Sequence, residues 1–123
     1  MSKIGTVYNI PITASGGAMY IITTLTQLTE PSSSTSVLCE DYKYHTLQYK
    51  IANIDTSVVI RIEGSLDGTN WANLDANGTD TTHTSDGTYI ATFDGGLKYI
   101  RFTFVSELTL TTATIDVVYM GKV

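Results

Sequence analysis

The sequence predicts an all-β fold: one antiparallel β-sandwich, jelly-roll-like, preceded by an N-terminal arm. Three observations carry that prediction. Threonine is the commonest residue, and tyrosine, isoleucine and valine are plentiful; these β-branched and aromatic types fit a pleated, half-buried surface. Only two prolines occur, and no long stretch shows a 3.6-residue apolar period bounded by helix caps. From Tyr42 onward, apolar and polar residues alternate in short runs separated by Gly, Asn and Asp turns. At 123 residues, 42% hydrophobic and 15% charged, the chain is long enough for a single two-layer core and too apolar to be disordered.

The elements follow in order. Residues 1–17 read as an arm: "TVYNIPI" alternates, but Pro11 limits it to an edge and "SGG" breaks it. The sandwich domain then spans 18–123. "AMYIITTLTQL" (18–28) is its first strand and "TEPSSSTS" (29–36) a loop by composition. Next, His45, Leu47, Tyr49 and Ile51 alternate with Tyr44, Thr46, Gln48 and Lys50, which puts the first set inward. Past "NIDTS", Val58, Ile60 and Ile62 alternate with Val59, Arg61 and Glu63. The chain turns at Asp67-Gly68, resumes over Trp71 to Leu74, and enters a polar loop over 75–87. Three strands remain. They are "TYIATF"; "LKYIRFTFV", with Ile100, Phe102 and Phe104 inward; and "TATIDVVYM", with Ile115, Val117 and Tyr119 inward. Seven or eight strands of this kind suit a sandwich of jelly-roll or related topology.

Charge and composition exclude several functions. The net charge is −5 and the seven basic residues are scattered, so no Lys/Arg cluster is present to displace counterions from a nucleic acid backbone. No apolar run approaches the roughly 18–20 residues that span a bilayer. "MSKIGTVYNIPITASGG" has one Lys and no continuous apolar segment of the kind a signal peptide carries, so the chain is expected to fold in the cytosol in which it is made. Cys39 is the only cysteine, which rules out an internal disulfide; beside Glu40 and Asp41 it is expected to be an ordinary packed or surface thiol rather than a reactive one.

Catalytic equipment is sparse. Nucleophile–base chemistry needs a positioned His. Of the two histidines, His45 lies on an inward strand face and reads as structural, while His83 lies in the Thr-rich loop and reads as solvated. Asp75, Asn77 and Asp80 around Gly78 are oxygen ligands of the type Ca²⁺ accepts, but they lack a full ligand set, and turn chemistry, the preferred reading, accounts for them. No catalytic residue, metal site or cofactor site is predicted.

The stretch "EGSLDGTNWANL" (63–74) holds the only tryptophan. Asp-Gly between alternating strands signals a hairpin, because Gly adopts the positive φ that other residues resist. Trp71 after such a turn can close the core or serve as a stacking platform for a ligand, with Asp67 and Asn70 as polar contacts; the first reading is preferred. Buried, the indole would contribute on the order of 4–6 kcal/mol as an upper bound.

Ser65, Asp67, Gly68 and Trp71 match the S-x-D-G-x-x-W hairpin of discoidin-like (coagulation factor 5/8 type C) jelly rolls, and "KYIRF" (98–102) is similar to a later strand of those domains. The likeness covers little more than residues 57–105, and the flanking cysteine pair of that family is missing. The whole chain resembles small structural proteins of tailed bacteriophages: short, acidic, rich in Thr, Gly and Asn, and with an arm. That resemblance implies a non-enzymatic virion structural protein, a capsid decoration or accessory subunit folded in the host cytoplasm. Its partners would be major capsid or tail proteins and further copies of itself. Interface residues are then expected at Val7, Tyr8, Ile10 and Ile12 on the arm, and at the outward Tyr44, Val59, Tyr99 and Val118. The alternative is a carbohydrate-binding module that takes a glycan on a rim of Asp67, Asn70 and Trp71. Neither reading involves nucleic acid, membrane or a cofactor.

Overall fold

The structure is a computed structural model, and it describes residues 19–75 and 77–123. The arm, with Val7, Tyr8, Ile10 and Ile12, lies outside the described residues. Ten strands form, every pairing antiparallel: β1 (Tyr20–Thr24), β2 (Ser32–Ser33), β3 (Val37–Leu38), β4 (Tyr44–Ala52), β5 (Ser57–Ser65), β6 (Ala72–Asn73), β7 (Thr81–His83), β8 (Gly87–Asp94), β9 (Tyr99–Leu108) and β10 (Thr114–Lys122).

One sheet has the order β1-β10-β4-β8. In the other, β2 and β3 share one side of β9, β5 follows, and β6 and β7 share the far side of β5. Counting each shared edge as one position gives eight positions in two four-wide sheets, the jelly-roll arrangement. The expected strand over 18–28 is shorter, although Leu25 and Leu28 keep bonding to Val117 and Ile115 beyond its end. Two segments read as loops contain edge strands. Ser32 and Ser33 pair with Phe104 and Thr103, and Thr81–His83 pair with Val58–Ile60. Composition hid both, because short edge strands are polar on both faces.

The core is what the two-residue period placed inward. Leu47, Ile51, Val58, Ile100, Phe102, Phe104, Ile115, Val117 and Tyr119 are all buried to within 1% exposure. A bulge interrupts the β5–β9 ladder: Val59 faces Ser106 while Ile60 faces Phe104, which leaves Val105 as the extra residue. Below it the register sets Arg61 opposite Thr103 and Glu63 opposite Arg101. Polar groups inside the core are matched. His45 donates from Nε2 to the Gly95 carbonyl (3.1 Å) and accepts at Nδ1 from the Tyr119 hydroxyl (2.6 Å). Cys39 is fully buried; desolvation, partly offset by a hydrogen bond with Tyr119, pushes its thiol up to about 11, the pattern of an unreactive cysteine.

Candidate interaction surface

Residues directly opposite in a ladder point to the same face, so the register of the four-stranded sheet lays out its outer face in rows. The first row is Tyr20, Lys122, Tyr44 and Asp94; the second is Ile22, Met120, Thr46 and Thr92. Thr24, Val118, Gln48 and Ile90 make the third, and Asp116, Lys50 and Thr88 the fourth. Ile90 is 65% exposed, Ile22 59% and Tyr44 42%. Ile22, Met120, Val118 and Ile90, with Thr46 and Gln48 between them, line a shallow groove of about 210 Å³. Large aliphatic side chains gathered in this way differ from the scattered exposed apolar residues of an ordinary surface.

The four outward residues expected at an interface divide between the sheets. Tyr44 and Val118 fall on this face, one row apart from Ile22 and Met120, while Val59 and Tyr99 sit half-buried on the outer face of the other sheet. Ile22, Ile90 and Met120 escaped the sequence reading. Their signal was available in the alternation of "YIITT", "TYIATF" and "TIDVVYM", where Ile22, Ile90 and Met120 fall on the outward side.

The opposite face carries a closed polar cluster beside apolar side chains, among them Leu38 and Leu108, 54% and 59% exposed. Glu63 has only 8% of its side chain exposed. Its Oε1 accepts from Arg101 Nε (2.8 Å) and Thr103 Oγ1 (2.7 Å), and its Oε2 from Arg61 Nη1 (3.4 Å). Burial would raise this carboxyl, but the Thr103 and Arg101 hydrogen bonds and the Arg101 charge outweigh it and hold it below its usual range. Arg61 also pairs with Asp80 through Nε (2.7 Å) and Nη2 (3.0 Å).

Trp71 belongs to this outer face. The register Gly64↔Ala72 puts Leu74 inward with Ala72, and Trp71 outward with Asn73. The indole is half-buried and stacks against the Arg101 guanidinium, 4.1 Å from the ring centroid. It does not close the core against Ile60, Ile62 and Phe102, as the hairpin suggested; the strand parity after the turn turns it away.

The 65–70 loop consumes its own polar groups. Ser65 Oγ accepts from the Asp67 and Gly68 amides and donates to Asp67 Oδ1. Asp67 Oδ1 also accepts from the Thr69 and Asn70 amides, both at 2.8 Å, and Oδ2 accepts from Asn70 Nδ2. Those bonds, the Asn70 amide foremost, hold the exposed Asp67 far below the ordinary carboxylate range. Gly68 has φ 77°, the left-handed conformation the turn requires, and its Cα faces the Tyr99 ring. Asp67 and Asn70 border an open cleft of about 420 Å³ with Leu66, Leu74 and Leu97, and Trp71 is not among its lining residues.

The remaining candidates are engaged elsewhere. Asp75 Oδ2 accepts from the Asn77 amide and from the Thr79 amide and hydroxyl, and Asp80 is turned to Arg61. Among the described residues no group of three or more His, Cys, Asp or Glu could hold a metal ion. His83, expected in solvent, is half-buried: its Nε2 lies 2.8 Å from the Tyr49 hydroxyl and its ring stacks on Tyr89 at 3.8 Å. Desolvation lowers its pKa and favours the neutral ring.

No protein-family model and no curated protein matches the chain. Solved structures share its fold. SPBc2 prophage-derived protein YomS superposes with a TM-score of 0.62 at 20% identity, over 94% of this chain and 100% of that one. A structure from the disulfide-linked pili of Bacillus endospore appendages gives 0.47 at 9% identity, over 92% of this chain and 96% of that one. The N-terminal cellulose-binding domain of Cellulomonas fimi β-1,4-glucanase C gives 0.43 at 14% identity, over 92% and 82%. At these identities what is common is the architecture, and the chain is an antiparallel all-β sandwich.

Proposed function

We propose that the chain is a non-enzymatic structural subunit of a tailed-phage virion, a capsid decoration or accessory protein acting through contacts with its own copies and with the shell. The observation that carries an interface role is the outer face of the four-stranded sheet, where Ile22, Ile90, Met120, Val118 and Tyr44 form one exposed aliphatic and aromatic surface. The tailed-phage setting draws its support from the fold shared at full length with a prophage-derived protein. The test is quantitative mass spectrometry of gradient-purified particles from a lysate in which the gene is expressed. A fixed copy number per particle is expected; abundant chain in the lysate with none on particles would overturn the proposal.

The alternative, a glycan-binding module on the Asp67–Asn70–Trp71 rim, draws support from the cleft beside Asp67 and Asn70. Its weakness is that both Asp67 oxygens and the Asn70 amide are committed within the loop, and Arg101 lies against Trp71. Quenching or a shift of Trp71 fluorescence on titration with oligosaccharides would favour it.

A further inference from the structure

We propose that the outer face of the four-stranded sheet packs on the same face of a second copy, across a two-fold axis that lies in the interface and runs across the strands. The inference deepens the subunit reading and rests on it, naming this chain as the partner of its own apolar face.

The argument is self-complementarity. A two-fold axis across the strands, between the second and third rows, keeps each strand over its own counterpart and reverses the order of the rows. Met120 then lies over the partner's Val118, and the exchange is reciprocal, so aliphatic surface meets aliphatic surface on β10. On the flanking strands the same axis lays Ile22 over the partner's Thr24 and Ile90 over the partner's Thr92. At the ends of the face, Lys122 meets the partner's Asp116, again reciprocally, and Tyr44 meets the partner's Lys50 in a cation–π arrangement. Lys50 and Lys122 form no ion pair among the described residues, so each is available to a second copy. A two-fold axis along the strands would also oppose charges, setting Asp116 against the partner's Lys50. It would, however, lay Met120 over Thr46 and Val118 over Gln48, so that no aliphatic pair forms anywhere on the face. The pattern of the face selects the axis across the strands.

The size is adequate for a weak dimer. Four strands about 4.8 Å apart, nine residues long in β4 and β10, eight in β8 and five in β1 and rising about 3.3 Å each, make a face of roughly 490 Å². Two such faces bury about 1,000 Å², at the low end of the range, where weak interfaces fall. Sheets packed face to face lie about 10 Å apart and within about 30° of alignment, which permits contacts of this kind along β10.

Charge exchange tests both the dimer and its axis. The purified chain is run by sedimentation velocity over a concentration series; a concentration-dependent dimer is expected, and a monomer up to about millimolar concentration overturns the inference, since even a small specific interface holds at that level. Asp116→Lys and Lys122→Asp are then made, with circular dichroism and melting confirming the fold of each. Each variant opposes like charges in its own dimer and should be monomeric. Mixed in equal amounts they restore opposite charges at both sites, and the dimer mass should return. A mixture that stays monomeric overturns the proposed axis, as does recovery when Asp116→Lys is mixed instead with Lys50→Asp. The particle assay separates this from the function: a monomeric chain present on particles sinks the dimer alone, whereas a dimer absent from particles sinks the virion reading alone.

Discussion

Glu63→Gln is the most informative single perturbation of the closed polar cluster. The glutamine is isosteric, and its carbonyl can still accept from Arg101 and Thr103 at the Oε1 position. Its amide would then face Arg61 Nη1 donor to donor, and Arg101 would lose its carboxylate partner while Arg61 keeps Asp80. Complete loss of a buried pair costs about 3–5 kcal/mol. Here the carboxylate is 8% exposed, but Arg61 and Arg101 keep 34% and 26% of their side chains in water. Solvent screening therefore brings the expected loss to about 2–3 kcal/mol. Urea unfolding followed by Trp71 fluorescence is the assay, since the only tryptophan stacks on Arg101.

The pH dependence identifies the cause. The native Glu63 carboxyl lies below its ordinary value of 4.5, so the unfolded chain takes up the proton first. Its contribution is whole above the unfolded value and disappears as pH falls through the native one. The gap between wild type and variant should be full at pH 7 and close in acid. A loss under about 0.5 kcal/mol at pH 7 would put the cluster among surface pairs of little consequence. A gap that persists unchanged to about pH 3 would show that the loss is not one of charge.

Three further outcomes are expected. Trp71→Ala removes a half-buried indole and one cation–π contact, so it should cost about 1–2 kcal/mol in urea unfolding, well below the loss of a core tryptophan. Gly121→Ala should destabilise by about 2 kcal/mol or more in thermal unfolding, because the new methyl would lie 2.6 Å from the Tyr119 hydroxyl and 2.8 Å from the Tyr42 ring. The His83 ring should titrate below its ordinary 6.5 by NMR. Because its native pKa is lowered, its share of stability is complete above the ordinary 6.5 of the unfolded chain and is lost as pH falls from there through the native midpoint, and His83→Gln should flatten this part of the pH–stability curve.

The strand faces were legible because alternation has only two phases. Once Leu47, Ile60, Phe102 or Val117 was assigned inward, every neighbour in its strand followed. What alternation could not supply is phase across a turn. The 65–70 loop spends Ser65, Asp67 and Asn70 on its own backbone, and the number of residues it uses decides on which side Trp71 emerges. Sequence alone gave no measure of that number. The Glu63 cluster was half visible: Arg61, Glu63, Arg101 and Thr103 were all assigned outward, but their convergence depends on a register fixed by the bulge at Val105, which leaves no compositional mark. His83 was misjudged because its neighbours are polar in sequence, while its contacts, Tyr49 and Tyr89, come from other strands.

The position of β10 bears on how the chain can be made. It is the last described strand in sequence, yet it lies inside its sheet, between β1 and β4. Tyr20 waits for Lys122, and Ile51 for Ile115. Until residues 114–122 have left the ribosome, β1 has no sheet partner, one edge of β4 is open, and the core lacks Ile115, Val117 and Tyr119. Pairing of β5 with β9 can therefore precede completion of the other sheet, which waits for β10. Pairings so distant in sequence slow folding and leave β-edges uncovered in the interval, so yield in the cell should respond more to translation rate, temperature and chaperone supply than the stability of the finished domain would suggest.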